Sequence, residues 1–93
     1  MIFVITGGSR GIGAEVVAQA VAAGHDVAFT FNENEAAAQR VVEHARTLNQ
    51  ESKCIAYRLD VRSSASVDAF SVKVLNDFSS VDVVVSNAGI NRN

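Results

Sequence analysis

The chain has 93 residues, 48% of them hydrophobic and 19% charged, with a net charge of −2 and a pI near 5.5. This composition is typical of one small globular domain, and its scattered basic residues argue against a nucleic acid or an anionic membrane as a partner. A single cysteine excludes an internal disulfide and no apolar run reaches transmembrane length, so we expect a cytoplasmic protein.

Apolar strands alternate with helices along the chain. The pattern predicts, in order, a strand at 2–6, a helix at 11–23, a strand at 27–31, a helix at 35–48, a strand at 53–59, a helix at about 64–78 and a strand at 81–86. Gly24 ends the first helix, and Asn34 and Ser63 are expected to cap the second and third.

Apolar residues at helical spacing predict which faces of the second and third helices pack on the sheet. In the second helix the predicted inward side chains are Ala38, Val41, Val42 and Ala45. In the third helix they are Val67, Phe70, Val74 and Leu75.

The β-α alternation predicts an α/β fold with a Rossmann-type, doubly wound parallel sheet of strand order 3-2-1-4. Right-handed crossovers then place two helices on one face and the third helix on the other. The fourth strand becomes an uncovered apolar edge, which invites pairing with further strands. The 93 residues are therefore expected to be the N-terminal part of a larger sheet.

The sequence TGGSRGIG at 6–13 lies between the first strand and the first helix. Glycines at 7, 11 and 13 permit a tight turn and the close approach of a pyrophosphate, and the helix N-terminus offers unpaired N–H groups. The loop at 87–89 follows the fourth strand, so both loops are predicted to meet in one crevice at the carboxyl ends of the strands.

Three motifs together resemble the short-chain dehydrogenase/reductase family. They are TGGSRGIG at 6–13, LDV at 59–61 and SNAG at 86–89, in the order and approximate spacing of that family. The resemblance covers essentially the whole chain, and the sequence at 87–93 is similar to the corresponding loop of 3-oxoacyl-thioester (acyl-carrier-protein) reductases.

The resemblance implies a binding site for a nicotinamide dinucleotide. The glycine-rich loop would bind the pyrophosphate and the adenosine ribose, Asp60 and Val61 the adenine, and the 87–89 loop the nicotinamide-side ribose. Singly, Asp60 could merely end a strand, Asn87 could close a turn and Gly89 could relieve strain. The expected cofactor-binding residues are Gly7, Gly8, Ser9, Arg10, Gly11, Ile12, Gly13, Asn32, Asp60, Val61, Asn87, Ala88 and Gly89.

The end of the second strand favours NADP(H) over NAD(H). An NAD site places an acid there for the ribose 2′-hydroxyl, about 20 residues past the glycine motif. Here Phe31 and Asn32 take that place, while Arg10 can supply positive charge to a 2′-phosphate. Glu33 and Glu35 lie close by in sequence, and Arg10 also occurs in NAD-binding relatives, which weakens the inference. Arg40, in mid-helix, is expected to be a solvated surface residue rather than a phosphate ligand.

The family's acid/base chemistry is absent from these residues. It relies on a tyrosine, a lysine four residues later and a serine, but the only tyrosine is Tyr57, and Val61 follows it at that spacing. Tyr57 is expected to pack in the core, and Cys54 to be an inert thiol. His25 and His44 lack metal-ligand spacing. No residue is therefore assigned a catalytic role, and no metal site is predicted.

The leading hypothesis is the cofactor-binding portion of an NADP(H)-dependent oxidoreductase that reduces a carbonyl, forming a homotetramer if the full-length protein is longer. Two alternatives remain. The chain could be a non-catalytic nucleotide-binding module, or a fragment of a split enzyme that needs a complementary chain.

Overall fold

A four-stranded parallel sheet forms the centre of the computed structural model, which describes residues 1–9, 11–60 and 62–86. The strands are β1 (Ile2–Thr6), β2 (Asp26–Phe31), β3 (Cys54–Arg58) and β4 (Val83–Ser86). The helices are α1 (Gly11–Ala22), α2 (Glu35–Leu48) and α3 (Ser64–Phe78). The strand order is β3-β2-β1-β4 with all pairs parallel, which confirms the predicted Rossmann-type sheet.

The two outer strands are shorter than predicted. β3 lacks the first and last residues of the 53–59 prediction, and β4 begins at Val83 rather than at Val81. Pairing with β1 nevertheless starts at Asp82, whose N–H donates to the Ile2 carbonyl at 2.9 Å. The Asp82 carboxylate in turn accepts the Ile2 N–H at 2.8 Å. These differences therefore concern only the ends of the strands, and the predicted strand order is unaffected.

Helices α1 and α2 pack together on one face of the sheet. The buried core there joins Ile5 of β1 and Phe29 of β2 to Val17 and Val21 of α1, each of these four side chains being fully enclosed. The α2 side chains predicted to face inward do so, and they complete this cluster: Ala38, Val42 and Ala45 are buried and Val41 is partly buried.

Gly24 and Asn34 have their predicted roles at the ends of these helices, although α1 ends at Ala22 rather than at Ala23. Gly24 has a φ of 93°, and its N–H donates to the Val21 carbonyl while the His25 N–H donates to Ala20, which is a Schellman closure. The Asn34 side chain caps α2 by accepting the Ala37 N–H at 2.9 Å.

Helix α3 is the only described helix on the other face, and its predicted orientation is half wrong. Val74 and Phe78 are buried against Val4 and Tyr57, with Phe70 partly buried. Val67 is instead 37% exposed and Leu75 54% exposed. Residues 70, 74 and 78 form one row along the helix, and no second described helix flanks it, so the sides of the apolar stripe stay open.

The apolar outer edge at β4 is confirmed for the described residues. Val84 pairs with Val4 of β1 and is 64% exposed, whereas Val4 is 6% exposed. Within the described part of the chain, no helix is long and apolar enough to cross a membrane.

Candidate functional site

The glycine-rich loop joins the end of β1 to the start of α1. Gly7 and Gly11 have φ values of 72° and 57°. A side chain at these angles costs roughly 1–2 kcal/mol, because its Cβ lies too close to the following carbonyl oxygen. The backbone therefore favours glycine at two positions, Gly7 where the chain leaves β1 and Gly11 where α1 begins.

The same loop is fastened to β2. The Gly7 N–H donates to Thr30 Oγ1 at 2.9 Å, and the Gly8 N–H donates to the Thr30 carbonyl at 3.0 Å. A Cβ on Gly8 would stand 2.6 Å from the Cβ of Phe29, a distance that real side chains do not reach. Glycine is thus required at position 8 because a side chain would clash with Phe29, not because of an unusual torsion angle. The bonds to Thr30 fix the distance between the loop and β2.

Thr30 was not predicted to take part in the site. It is 3% exposed, and the described structure leaves no buried side-chain oxygen or nitrogen without a partner. The available signal was its position as the one hydroxyl in the apolar strand at 27–31, since a buried hydroxyl needs a hydrogen-bond partner.

The first turn of α1 is suited to an anion. This helix begins at Gly11 and carries no acidic residue in its first turn, so no side chain competes for its positive end. Gly13 is buried in this first turn, whereas the apolar side chain of Ile12 is 73% exposed. An exposed isoleucine next to unpaired helix N–H groups provides both an apolar and a phosphate contact for one ligand.

The end of β2 presents no carboxylate from Phe31 or Asn32. Phe31 is 7% exposed and belongs to the core, with the Arg58 guanidinium 5.7 Å from its ring centroid. Asn32 follows and is exposed. Glu33 is the first acid after the strand, and its charge adds a small contribution to the raised pKa of Arg62, after the larger effect of Asp60.

Asp60 stands beyond the end of β3 and is held by Arg62. The Arg62 Nε and backbone N–H both donate to Oδ1 at 3.0 Å, and Nη2 donates to Oδ2 at 3.4 Å. These hydrogen bonds hold the pKa of the Asp60 carboxyl below its usual range. A carboxylate accepts about four hydrogen bonds, so the described residues leave one acceptor position on Oδ2 for a ligand donor.

The parallel sheet brings the described candidates to one edge. The glycine-rich loop, Asn32 and Asp60 follow β1, β2 and β3, whose carboxyl ends are adjacent. β4 ends beside β1 through the pair Thr6–Ser86, so Ser86 lies next to the start of the glycine-rich loop. Arg10, Val61, Asn87, Ala88 and Gly89 were also predicted for the site and lie outside the described residues.

A sequence profile described as short chain dehydrogenase matches residues 1–93, the whole chain. The chain belongs to this family. Its match to the short-chain dehydrogenases confirms the resemblance that the three sequence motifs indicated.

Known short-chain dehydrogenase relatives are much longer than this chain. It is 40% identical to the acetoacetyl-CoA reductase of Rhizobium meliloti over 98% of its length and 35% of the relative's. It is 35% identical to the 3-oxoacyl-acyl-carrier-protein reductase FabG of Staphylococcus aureus, over 95% of its length and 35% of that enzyme's. The chain thus spans about a third of these relatives.

A solved structure gives the same fold. The alcohol dehydrogenase of the archaeon Thermococcus sibiricus, complexed with 5-hydroxy-NADP, superposes with a TM-score of 0.75 at 37% identity. The superposition covers 89% of this chain and 34% of that enzyme.

The only tyrosine of this short-chain dehydrogenase sequence has a structural role. Tyr57 is 9% exposed, its hydroxyl donates to Asp77 Oδ2 at 2.6 Å, and its ring meets Phe70 edge to face at 5.4 Å. Burial and the bond to Asp77 raise its pKa, which opposes ionisation. The predicted packing role is confirmed.

The setting of the Cys54 thiol disfavours its ionised form. It is partly buried, and burial raises its pKa to about 11 against an opposing effect of Arg46. At neutral pH the sulfur is therefore protonated. Among the described residues, no three His, Cys, Asp or Glu side chains come together as metal ligands.

Proposed function

We propose that this chain is the cofactor-binding portion of an NADP(H)-dependent reductase of the short-chain dehydrogenase family. The observation that carries this proposal is the glycine-rich loop fastened to Thr30 at the acid-free N-terminus of α1. Such a loop binds a pyrophosphate through backbone N–H groups and the helix dipole. Exposed Ile12 supplies an apolar wall at the same place.

The preference for NADP(H) rests on the end of β2. Phe31 is buried and Asn32 carries no charge, so neither repels a 2′-phosphate, and Asn32 offers an amide donor. Arg10, which belongs to the glycine-rich motif at 6–13, supplies positive charge in this proposal. The relative from Thermococcus sibiricus was solved with an NADP derivative, which supports the same choice.

Each residue of the proposed site has a binding task. The loop residues Gly7–Gly13 hold the pyrophosphate and adenosine ribose, with Asn32 beside the ribose. Asp60 accepts from the adenine amino group, and the Val61 N–H points to a ring nitrogen. Asn87, Ala88 and Gly89 support the nicotinamide-side ribose. When bound, the cofactor supplies a hydride to a carbonyl, and these residues orient it.

We further propose a 3-oxoacyl thioester as substrate. Two relatives are named as reductases of acetoacetyl-CoA and of 3-oxoacyl-acyl-carrier protein, and both names denote carbonyls of this class. The acid/base for that reduction lies outside these 93 residues in our proposal, because Tyr57 is buried and hydrogen-bonded to Asp77. We place the whole protein in the cytoplasm, as a homotetramer.

A second candidate is favoured by the exposed edge at β4. Val84 is 64% exposed there, which suits a fragment whose sheet is completed by a complementary chain. Size-exclusion chromatography during an NADPH titration separates this split-enzyme candidate from an independent binding module. A monomer of 9.8 kDa that binds NADPH indicates an independent binding module, whereas aggregation that only a second polypeptide relieves indicates a split enzyme.

The substitution Gly13→Val tests the site. Gly13 is buried in the first turn of α1, so a branched side chain there displaces the loop and abolishes NADPH binding. Gly24→Ala, at the opposite end of α1 and open to solvent, is the control and keeps binding. Circular dichroism checks that both variants fold. Unchanged NADPH affinity in folded Gly13→Val would contradict the site.

A further inference from the structure

A groove of about 290 Å³ runs between α1 and α2 and opens at the glycine-rich loop. Ligand pockets usually measure roughly 300–1,000 Å³, so the groove is large enough for one part of a cofactor and too small for a dinucleotide. Its walls come from the loop and from both helices. They are formed by Ser9, Ala14, Ala18, Asn34, Ala37, Arg40, Val41 and His44.

Among the described residues that line the groove there is a positive charge and no negative one. Arg40 is its only permanently charged lining residue among those described, and no carboxylate lines it. Arg40 is exposed, as the sequence predicted, and within the described chain its guanidinium has no hydrogen-bond or ion-pair partner. The groove therefore offers a free cation to an anionic group.

Helix geometry directs Arg40 toward the mouth of the groove. Residues 37, 40, 41 and 44 share one face of α2 at i, i+3, i+4 and i+7 spacing. Side chains on a helix lean toward its N-terminus, which for α2 is the end at Asn34 beside the glycine-rich loop. The small Ala14 and Ala18 on α1 leave the opposite wall open.

We propose that Arg40 binds the 2′-phosphate of NADP(H) at the mouth of this groove. The inference rests on the proposed function, which places the pyrophosphate on the loop and the adenosine ribose beside Asn32. Ser9 of the loop and Asn34, two residues after Asn32, both line the groove. A phosphate monoester carries about −1.5 to −2 charges at pH 7, which matches the unpaired guanidinium. Arg40 is thus a specificity-determining residue that distinguishes NADPH from NADH.

The test compares Arg40→Gln with Arg46→Gln by titration with NADPH and NADH. Arg46 is the matched control, since it is exposed on the same helix and does not line the groove. We expect Arg40→Gln to weaken NADPH binding roughly fivefold to tenfold, as for a partly exposed hydrogen bond to a charged group, and to leave NADH within about twofold. Arg46→Gln leaves both affinities unchanged.

Competition by 2′,5′-ADP and by 5′-AMP identifies the phosphate concerned. Arg40→Gln should weaken 2′,5′-ADP alone and reduce the salt dependence of NADPH binding. Equal losses for NADPH and NADH, or no loss, would overturn the inference while a wild-type preference for NADPH upholds the proposed function. Binding of inorganic phosphate in the groove with an unchanged NADPH affinity would likewise overturn it. If the wild type binds neither dinucleotide, the proposed function and the role of Arg40 both fail.

Discussion

Replacing Gly8 by alanine tests how the loop is fastened to β2. The added Cβ would stand 2.6 Å from the Phe29 Cβ and 2.9 Å from the ring atom Cδ2. Carbon atoms in contact are normally about 3.5–4.0 Å apart, so the overlap is about 1 Å. Phe29 is fully buried in the middle of the sheet, so the loop has to move instead.

The cost follows from this displacement. Overpacking of a core contact costs roughly 1–3 kcal/mol. Shifting the loop also weakens the bonds from Gly7 and Gly8 to Thr30, each contributing about 1 kcal/mol. We expect Gly8→Ala to lower the free energy of unfolding by about 2–4 kcal/mol in total, a large part of the 5–15 kcal/mol typical of a domain.

Urea denaturation followed by circular dichroism measures this loss. With a slope of roughly 1–3 kcal/mol per molar urea, the midpoint should fall by about 0.7–4 M. Gly24→Ala is the control, because its added Cβ meets nothing within 4 Å and only its φ of 93° is strained. It should cost about 1–2 kcal/mol and leave NADPH affinity unchanged. A Gly8→Ala variant within about 0.5 kcal/mol of wild type would refute the steric argument.

Two further predictions concern the α3 side of the sheet and the Cys54 thiol. Tyr57→Phe removes the hydrogen bond to Asp77 and should lower the free energy of unfolding by about 1 kcal/mol in urea denaturation, without changing NADPH affinity; no loss would contradict that bond. Because the pKa of Cys54 is raised to about 11, the native thiol should react with a disulfide reagent at pH 8 roughly twentyfold more slowly than in urea, and equal rates would contradict its protection. The raised pKa of Cys54 also makes the free energy of unfolding depend on pH. Its contribution is fully present below the unfolded thiol pKa and is lost as pH rises through about 11.

The sheet was predictable because its signals are local and repeated. Continuous apolar runs identify the strands, and Gly24, Asn34 and Ser63 act as helix ends through their own backbone or side-chain chemistry. Chain handedness then gave the strand order. None of these steps requires knowledge of which side chains meet across the fold.

The errors arose where neighbouring elements decide burial. Val67 and Leu75 have the spacing of a core face, but no second described helix covers the flanks of α3, so they are exposed. Thr30 was missed because its bonds to the loop depend on the distance between the loop and β2, which sequence spacing does not encode. Gly8 was predicted for the site, but its close approach to Phe29 depends on the same distance. Arg40 was assigned to the surface correctly, but its groove depends on how α1 packs beside α2.

The ratio of NADPH to NADH affinity tests the central claim most directly. It is measured by titrating the wild-type protein with each dinucleotide at one fixed salt concentration, because charge contacts weaken with ionic strength. With no acid at Phe31 or Asn32 and the proposed contact of Arg40 with the 2′-phosphate, NADPH should bind at least about tenfold more tightly. Equal affinities, or tighter binding of NADH, would contradict the claim that this site selects NADP(H).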